Sequence, residues 1–398
     1  MKIVGIVAEY NPFHKGHAYQ LQKVRELYGE DTAIVCVMSG DFVQRGEPAV
    51  FSKFARAEAA VRCGADLMIE LPLHISIGSA ERFADGAVQI LGRLGVVDSL
   101  VFGSELEDRA LLERTAEVLS APAFDERIKL HLQSGCSYPT ARSKALTELM
   151  DGLDVTMTPN NNLGVEYIRA IRRHGFSMAP HPILRVGAMH DAVYDGEMKS
   201  GSELRSRIFN GEDISDYVPQ EAFEIYSRES AMGKGPVCLS KLETAILSRL
   251  RMLSYDVFSA LPDASEGLEN RLYNACRRGI SLEKIYDTVK SKRFTHARIR
   301  RMTMCAALGI SGENYSKENL YARVLALNER GAKILKQSET LRSIDVISKP
   351  SVARKLSQEV LSMFCKAADA HDLYVLAYEN PSHRQGELDW KTGPVFVR

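Results

Sequence analysis

The stretch VAEYNPFHKGHAYQL, residues 7–21, decides how this chain is read. An apolar run, KIVGIVA (2–8), stops at Glu9 and an Asn-Pro turn. His14-Lys15-Gly16-His17 follow, and then apolar residues recur at intervals of three and four. That order predicts a strand, a turn and a helix start in immediate succession. The first amides of a helix lack internal partners and carry partial positive charge, so a phosphate suits them. Gly16 allows close backbone approach. The imidazoles of His14 and His17 can donate hydrogen bonds to phosphoryl oxygens, and Lys15 adds a full charge. The plainer alternative is a loop with two surface histidines; the strand–HxGH–helix context favours the phosphate site. A zinc site would need a third ligand, and no Cys/His cluster accompanies the pair.

Working outward, TAIVCVM (32–38), DLMIEL (66–71) and SLVFG (99–103) are further continuous apolar runs, as expected for strands buried on both faces of a parallel sheet. Helical patterns lie between them and close at Gly29, Gly64 and Gly95. The repetition predicts an α/β fold: an open, doubly wound, mainly parallel sheet. Ligands of such sheets bind beyond the carboxyl ends of the strands. The opening stretch, the MSGDFVQRGEP loop and the FGSE loop all fall at that edge. Residues 107–150 read as a helical insertion. TPNNNLGVEYIRAIRRHG then gives a loop and helix, MAPHPILRVG a strand, and SGSELRSRIFNG a helix capped by Ser200 or Ser202. From 212 the character changes. SKLETAILSRLRML opens with Ser240 and Glu243 at capping-box spacing, and helical patterns follow at 264–277, 281–291, 295–308 and 352–370. YARVLALNERG (321–331) and HDLYVLAYE (371–379) read as strands, so residues 212–398 are expected to be mostly helical with a small sheet. The polar tail ENPSHRQGELDWKTG reads as loosely ordered, and its Trp390 suggests nothing catalytic.

A length of 398 residues implies two or three domains, divided here as 1–211 and 212–398. Lysine plus arginine equals aspartate plus glutamate at 51 each, so any polyanion partner must be met by local charge. Residues 271–301 supply it: ten Lys/Arg stand against Glu283 and Asp287, with Phe294 and His296 interleaved. That segment is either a phosphate-tracking face with an aromatic available for stacking or a solvated helix face. The seven scattered cysteines, without a CxxC pair, suggest free thiols in a reducing compartment. The short amino-terminal apolar run lacks a cleavage pattern, and no uncharged apolar run reaches membrane-spanning length. The expected location is the cytoplasm, with no membrane attachment.

HxGH in this position resembles the signature of the nucleotidyltransferase and class I synthetase-like superfamily. SGSELRSR, with Ser200, Ser202 and Arg205, occupies the place of that superfamily's second phosphate motif; a capped surface helix is the alternative reading. Taken together, GIVAEYNPFHKGHAYQL, MSGDFVQRGEPA, ADLMIELP, FGSE, PNNNLGVEYI and KRFTHARIRRM resemble the bacterial tRNA(Met) cytidine acetate ligase family over essentially the whole chain. The resemblance implies a Rossmann-like, HUP-type nucleotidyltransferase domain followed by a mostly helical tRNA-binding domain. It implies ATP-dependent activation of acetate as acetyl-adenylate. Acetylation of N4 of the wobble cytidine (position 34) of elongator tRNA(Met) would follow, with Mg2+ carried by the nucleotide and no resident metal or protein partner.

By the same resemblance the nucleotide is cradled by Val7, Ala8, Glu9, Tyr10, Asn11, Pro12, Phe13, His14, Lys15, Gly16, His17, Ala18, Tyr19 and Gln20, with His14 and His17 as the catalytic phosphate partners. Gly103, Asn160 or Asn161, Arg185, Ser202 and Arg205 complete the set. Lys292, Arg293, Arg298, Arg300 and Arg301 are the expected RNA contacts. Asp41 stands where the family often has Asn, and SGSELR departs from the usual sequence of the second motif. Asp41, Arg45 and Glu47 form either an active-site ion network or a loop brace, and Glu9 either orients Lys15 or caps the loop. Two rival functions are a small-molecule adenylyltransferase and a non-catalytic RNA-binding protein with a relic nucleotide fold.

Overall fold

The apolar runs at 2–8, 32–38, 66–71 and 99–103 form the middle of one sheet. The computed structural model describes residues 1–136, 138–152, 157–185, 198–315 and 320–398. Its strands are β1 (Ile3–Ala8), β2 (Ala33–Ser39), β3 (Phe42–Val43), β4 (Glu47–Pro48), β5 (Leu67–Leu71), β6 (Ser99–Ser104), β7 (Ala179–Leu184), β8 (Tyr321–Leu327), β9 (Asp345–Ile347) and β10 (Val395–Phe396). The sheet order is β10-β8-β5-β2-β1-β6-β7, with β9 also beside β8. β1 is parallel to β2 and β6, β2 to β5, and β6 to β7. Every residue of β2 is buried, which is why these strands read as unbroken apolar runs. The loops leaving β1, β2, β6 and β7 emerge at one edge of the sheet.

Among the described residues, the small sheet expected in residues 212–398 is not a sheet of its own. β8 joins the main sheet antiparallel to β5, and β9 and β10 share the outer edge of β8. HDLYVLAYE is not a strand; its residues 371–375 belong to the helix Gln358–Val375. Ala367, Ala370, His371 and Tyr374 recur at three and four on the buried face of that helix. A short apolar run carries no such distinction by itself. The tail is ordered as well: Leu388–Lys391 is a helical turn, Asp389 is fully buried, and the Trp390 ring lies 4.6 Å from Phe364. Ser240 does not open its helix. Cys238 is the cap of Leu239–Met252, and Glu243 accepts the Leu282 N–H at 2.8 Å, tying two helices together. The insertion contains the helices Arg109–Ser120, Pro122–Gln133 and Tyr138–Leu149. Residues 186 and 187, expected to end a strand, lie outside the described residues.

MSGDFVQRGEP, expected as a loop, contains the β3–β4 hairpin. Its turn, Gln44-Arg45-Gly46, has the three-residue form that places a left-handed residue last, and Gly46 has φ 71°. Gly46 also packs on the helix His296–Leu308: a Cβ there would stand 3.0 Å from the Arg300 carbonyl carbon and oxygen. Both constraints require glycine. Gly46→Ala is expected to lower stability by about 1–3 kcal/mol, read from the urea midpoint. An unshifted midpoint would mean that the hairpin does not rest on this helix.

Candidate active site

The helix α1 (Lys15–Tyr28) begins where β1 hands the chain to the Asn11-Pro12 turn. Its cap explains the spacing of the two histidines. His14 Nδ1 accepts the Gly16 N–H at 3.0 Å, and His17 Nδ1 accepts the His14 N–H at 3.2 Å. This is the reciprocal arrangement of a capping box, which needs its two side chains three residues apart. It also fixes both tautomers: with Nδ1 accepting in each ring, the proton sits on Nε2. The rings stack with centroids 3.8 Å apart. Burial, then Arg185 and Arg205, pull His14 down to about 4. Burial, then His14 and Arg185, hold His17 well below its usual value. The pair is therefore two neutral N–H donors, not two cations and not a general base. The Gly16 amide, read from the sequence as open to a phosphate, is taken by His14.

The rest of 7–20 divides by burial. Tyr10 and Phe13 are core residues whose rings pack on His17, at 4.8 and 5.5 Å between centroids. They support the imidazole, and only their backbone can face a ligand. Asn11 accepts the Val50 N–H through Oδ1 at 2.8 Å, and its carbonyl accepts from Arg205 Nη1 at 2.7 Å. The Phe13 N–H donates to Tyr226 Oη at 2.8 Å, so residues beyond 212 also brace this loop. Val7 and Ala8 end β1; Lys15, Ala18, Tyr19 and Gln20 lie on α1. Pro12 follows Asn11 in a cis peptide.

Other elements deliver the remaining candidates to the same edge. Gly103 lies on β6, where the Arg185 side chain crosses within 3.1 Å of a notional Cβ. Asn160 and Asn161 open the helix Pro159–His174. They do different things: Asn161 is buried and accepts from Ser104 Oγ at 2.8 Å, whereas Asn160 Nδ2 donates to Glu105. Glu105 also accepts from Thr158 and stands 3.6 Å from Arg185. It thus organises both, although only its motif FGSE, not Glu105 itself, stood out in the sequence. Ser200 caps the helix Gly201–Phe209, while Ser202 Oγ lies 3.2 Å from Ser200 Oγ.

Glu9 caps the hairpin: its Oε1 accepts the Gln44 N–H at 2.8 Å. Burial raises its carboxyl, against the pull of Gln44 and of Arg205, Arg56 and Arg45. Arg56, on the helix α2 (Lys53–Arg62), donates to the carbonyls of Glu9, Ser39, Gly40 and Phe51. One guanidinium thereby ties the ends of β1 and β2. Asp41 belongs to a buried ionic cluster. Lys53 Nζ lies 2.9 Å from Glu70, 2.8 Å from Asp389 and 3.7 Å from Asp41. Arg323 lies 2.6 Å from Asp389 and 3.2 Å from Glu70, and His371 lies 2.8 Å from Asp41. No signal in the sequence separates Lys53 or Arg56 from ordinary polar residues of an amphipathic helix.

The basic segment is only partly free. Phe294 is 4% exposed and packs in the core, so it is not available to stack on a base. Arg298 donates to Asp263 and Ser265, Arg300 pairs with Glu47 at 2.6 Å, and Arg301 lies 3.9 Å from Asp263. Lys292 and Arg293 are exposed.

This sheet, with paired histidines capping its first helix, is that of a nucleotidyltransferase; the family model described as HIGH Nucleotidyl Transferase matches residues 1–389. Relatives called tRNA(Met) cytidine acetate ligase include one from Thermosipho melanesiensis, 34% identical over 98% of both chains. Another, from Alkaliphilus metalliredigens, is 36% identical and covers 100% of this chain and 99% of its own. The crystal structure of Thermotoga maritima TmcAL bound with alpha-thio ATP superposes with a TM-score of 0.91, at 34% identity and full coverage of both chains. The chain belongs to the tRNA(Met) cytidine acetate ligase family.

Proposed function

We propose that this ligase uses ATP to convert acetate to acetyl-adenylate and then acetylates N4 of the wobble cytidine of elongator tRNA(Met). The observation that carries the reading is the histidine capping box: two neutral Nε2–H donors at a helix start, among Arg185 and Arg205. In the first step an acetate oxygen attacks the α-phosphorus and the bond to pyrophosphate breaks. Charge builds on the α-phosphoryl oxygens, where preorganised N–H donors are most effective. In the second step the cytidine amine attacks the acetyl carbon, AMP leaves, and the amine loses a proton. Cytosine's amine is a weak nucleophile, so the mixed anhydride is needed, and positioning supplies much of the rest.

The anionic part of ATP fits this edge: Arg185, Arg205 and the imidazoles converge there, and Ser202 lies at the neighbouring helix start. Among the described residues no three His, Cys, Asp or Glu side chains gather as a metal-ligand set. Mg2+ is assigned to the nucleotide, where it would neutralise phosphate charge. The nucleotide is assigned to residues 1–211 together with β8, β9 and β10, which complete their sheet, and the RNA to the helical part of 212–398, through Lys292, Arg293 and the arginines of His296–Leu308. Among the described residues no helix is long and apolar enough to cross a membrane, and the seven cysteines are free, as suits the cytoplasm.

The test is nucleoside mass spectrometry of tRNA incubated with the protein, ATP and labelled acetate. Label on cytidine, lost when ATP is omitted, is the expected result. AMP retained on a small-molecule product would instead identify an adenylyltransferase.

A further inference from the structure

The β3–β4 hairpin is fastened on every side of one residue. The Gln44 N–H donates to Glu9 at 2.8 Å, and the Gly46 N–H donates to the Val43 carbonyl at 2.9 Å. Gly46 rests on the Arg300 backbone, and Glu47 pairs with Arg300 at 2.6 Å. Past the hairpin, the Ala49 N–H donates to the Asp41 carbonyl and the Val50 N–H to Asn11, each at 2.8 Å. Arg45, at the turn, is exposed, and among the described residues it has no hydrogen bond or ion pair. A held turn thus presents an uncommitted guanidinium. A guanidinium is built to bind oxyanions with a planar fork.

Its position indicates which oxyanion. The residue before it is tied to the end of β1, and the two after it meet the basic helix His296–Leu308. Arg45 therefore stands at the junction of the nucleotide edge and the basic segment. Its charge is felt by Glu9 and Arg205. The strand residues assigned to ATP come from β1, β6 and β7, while Arg205 comes close enough to the hairpin to feel the charges of Glu47 and Arg45. Arg45 follows β2, which lies on the other side of β1 from β6 and β7. Gly46 and Glu47 set that guanidinium beside the helix that carries Arg298, Arg300 and Arg301, the segment assigned to RNA.

We propose that Arg45 binds the RNA, its guanidinium holding a backbone phosphate beside the nucleotide that enters the site. The proposal rests on the reading of RNA as the acetyl acceptor. A phosphate gripped there would orient the flanking base towards the imidazoles, with Lys292 and Arg293 following the strand outward. Phosphate contacts of this kind set register and carry no sequence information.

The experiment compares wild type, Arg45→Ala and Arg45→Lys in two assays. One is single-turnover transfer from preformed acetyl-adenylate to tRNA at several salt concentrations. The other is acetate-dependent ATP–pyrophosphate exchange without tRNA. In Arg45→Ala the second-order transfer rate is expected to fall about tenfold or more, and the log–log salt slope to become shallower by about 1. Exchange should fall far less than transfer. Arg45→Lys, which keeps the charge, should keep the salt slope and recover most of the rate. Exchange falling in step with transfer would place Arg45 on ATP or the acid and overturn the proposal; so would an Arg45→Ala variant with wild-type transfer and slope. If the wild-type protein transfers nothing to RNA, the functional reading fails first and Arg45's role falls with it.

Discussion

His17→Ala is expected to slow acetate-dependent ATP–pyrophosphate exchange by about two to three orders of magnitude, the loss typical of a removed transition-state donor. His14→Ala should lose a similar factor and also about 1 kcal/mol of stability, because His14 is the cap of α1. His14→Asn separates the two effects. An asparagine at the cap restores the acceptor for the Gly16 amide but not the imidazole, so stability should return without the rate. Wild-type exchange in His17→Ala would show that the phosphates are held elsewhere.

The pair also has a pH signature. His14 is pulled from 6.5 to about 4, and His17 is lowered too. Both rings stay neutral through the physiological range, so the free enzyme should show no inflection near 6.5 from this pair. The linkage follows the lowered values: the stability it contributes is present above pH 6.5 and is lost as pH falls towards the folded values.

Lys53→Met is expected to cost about 3–5 kcal/mol of stability, because it leaves buried carboxylates without their shared cation. Asp41, Glu70 and Asp389 converge on Lys53, and all four side chains are at most 3% exposed. Burial pulls Lys53 down, but Asp389 and Glu70 outweigh it and hold the ammonium above its usual value. Adding Glu70→Gln to Lys53→Met should recover part of the loss, since Arg323 is then left with one buried carboxylate to balance instead of two. Urea unfolding reads both variants; a loss below about 1 kcal/mol for Lys53→Met would put this cluster in the class of weak surface pairs.

Two opposed pH dependences follow from the same cluster. Burial would raise Asp41 and Asp389, but His371 and Lys53 for the one, and Lys53 and Arg323 for the other, lower them below 3.8. Their contribution is present above that value and lost in acid. Burial would lower His371, but Asp41 raises it above 6.5. Its contribution is complete below pH 6.5 and declines as pH rises through the folded value.

The strands at 3–8 and 33–39 were legible because parallel strands buried on both faces leave an unbroken apolar record. The histidine spacing was legible because a reciprocal cap demands residues three apart. Lys53, Arg56 and Asp389 were not. Their burial depends on partners far along the chain, and within SKFARAEAAVR or the polar tail they look like solvent-facing residues. The pairing of β8 with β5 was hidden for the same reason: YARVLAL gives a strand but no neighbour. Phe294 read as a stacking platform only because interleaved charge says nothing of which face a ring takes.

The partnership of Lys53 with Asp389 spans 336 residues. During synthesis the ribosome delivers β5 and Lys53 long before β8 or the tail has left the exit tunnel. The buried cluster around Lys53 is thus completed only once residue 389 has been delivered. A chain that stops before β8 leaves one edge of β5 unpaired and Lys53 with Glu70 and Asp41 but without Asp389.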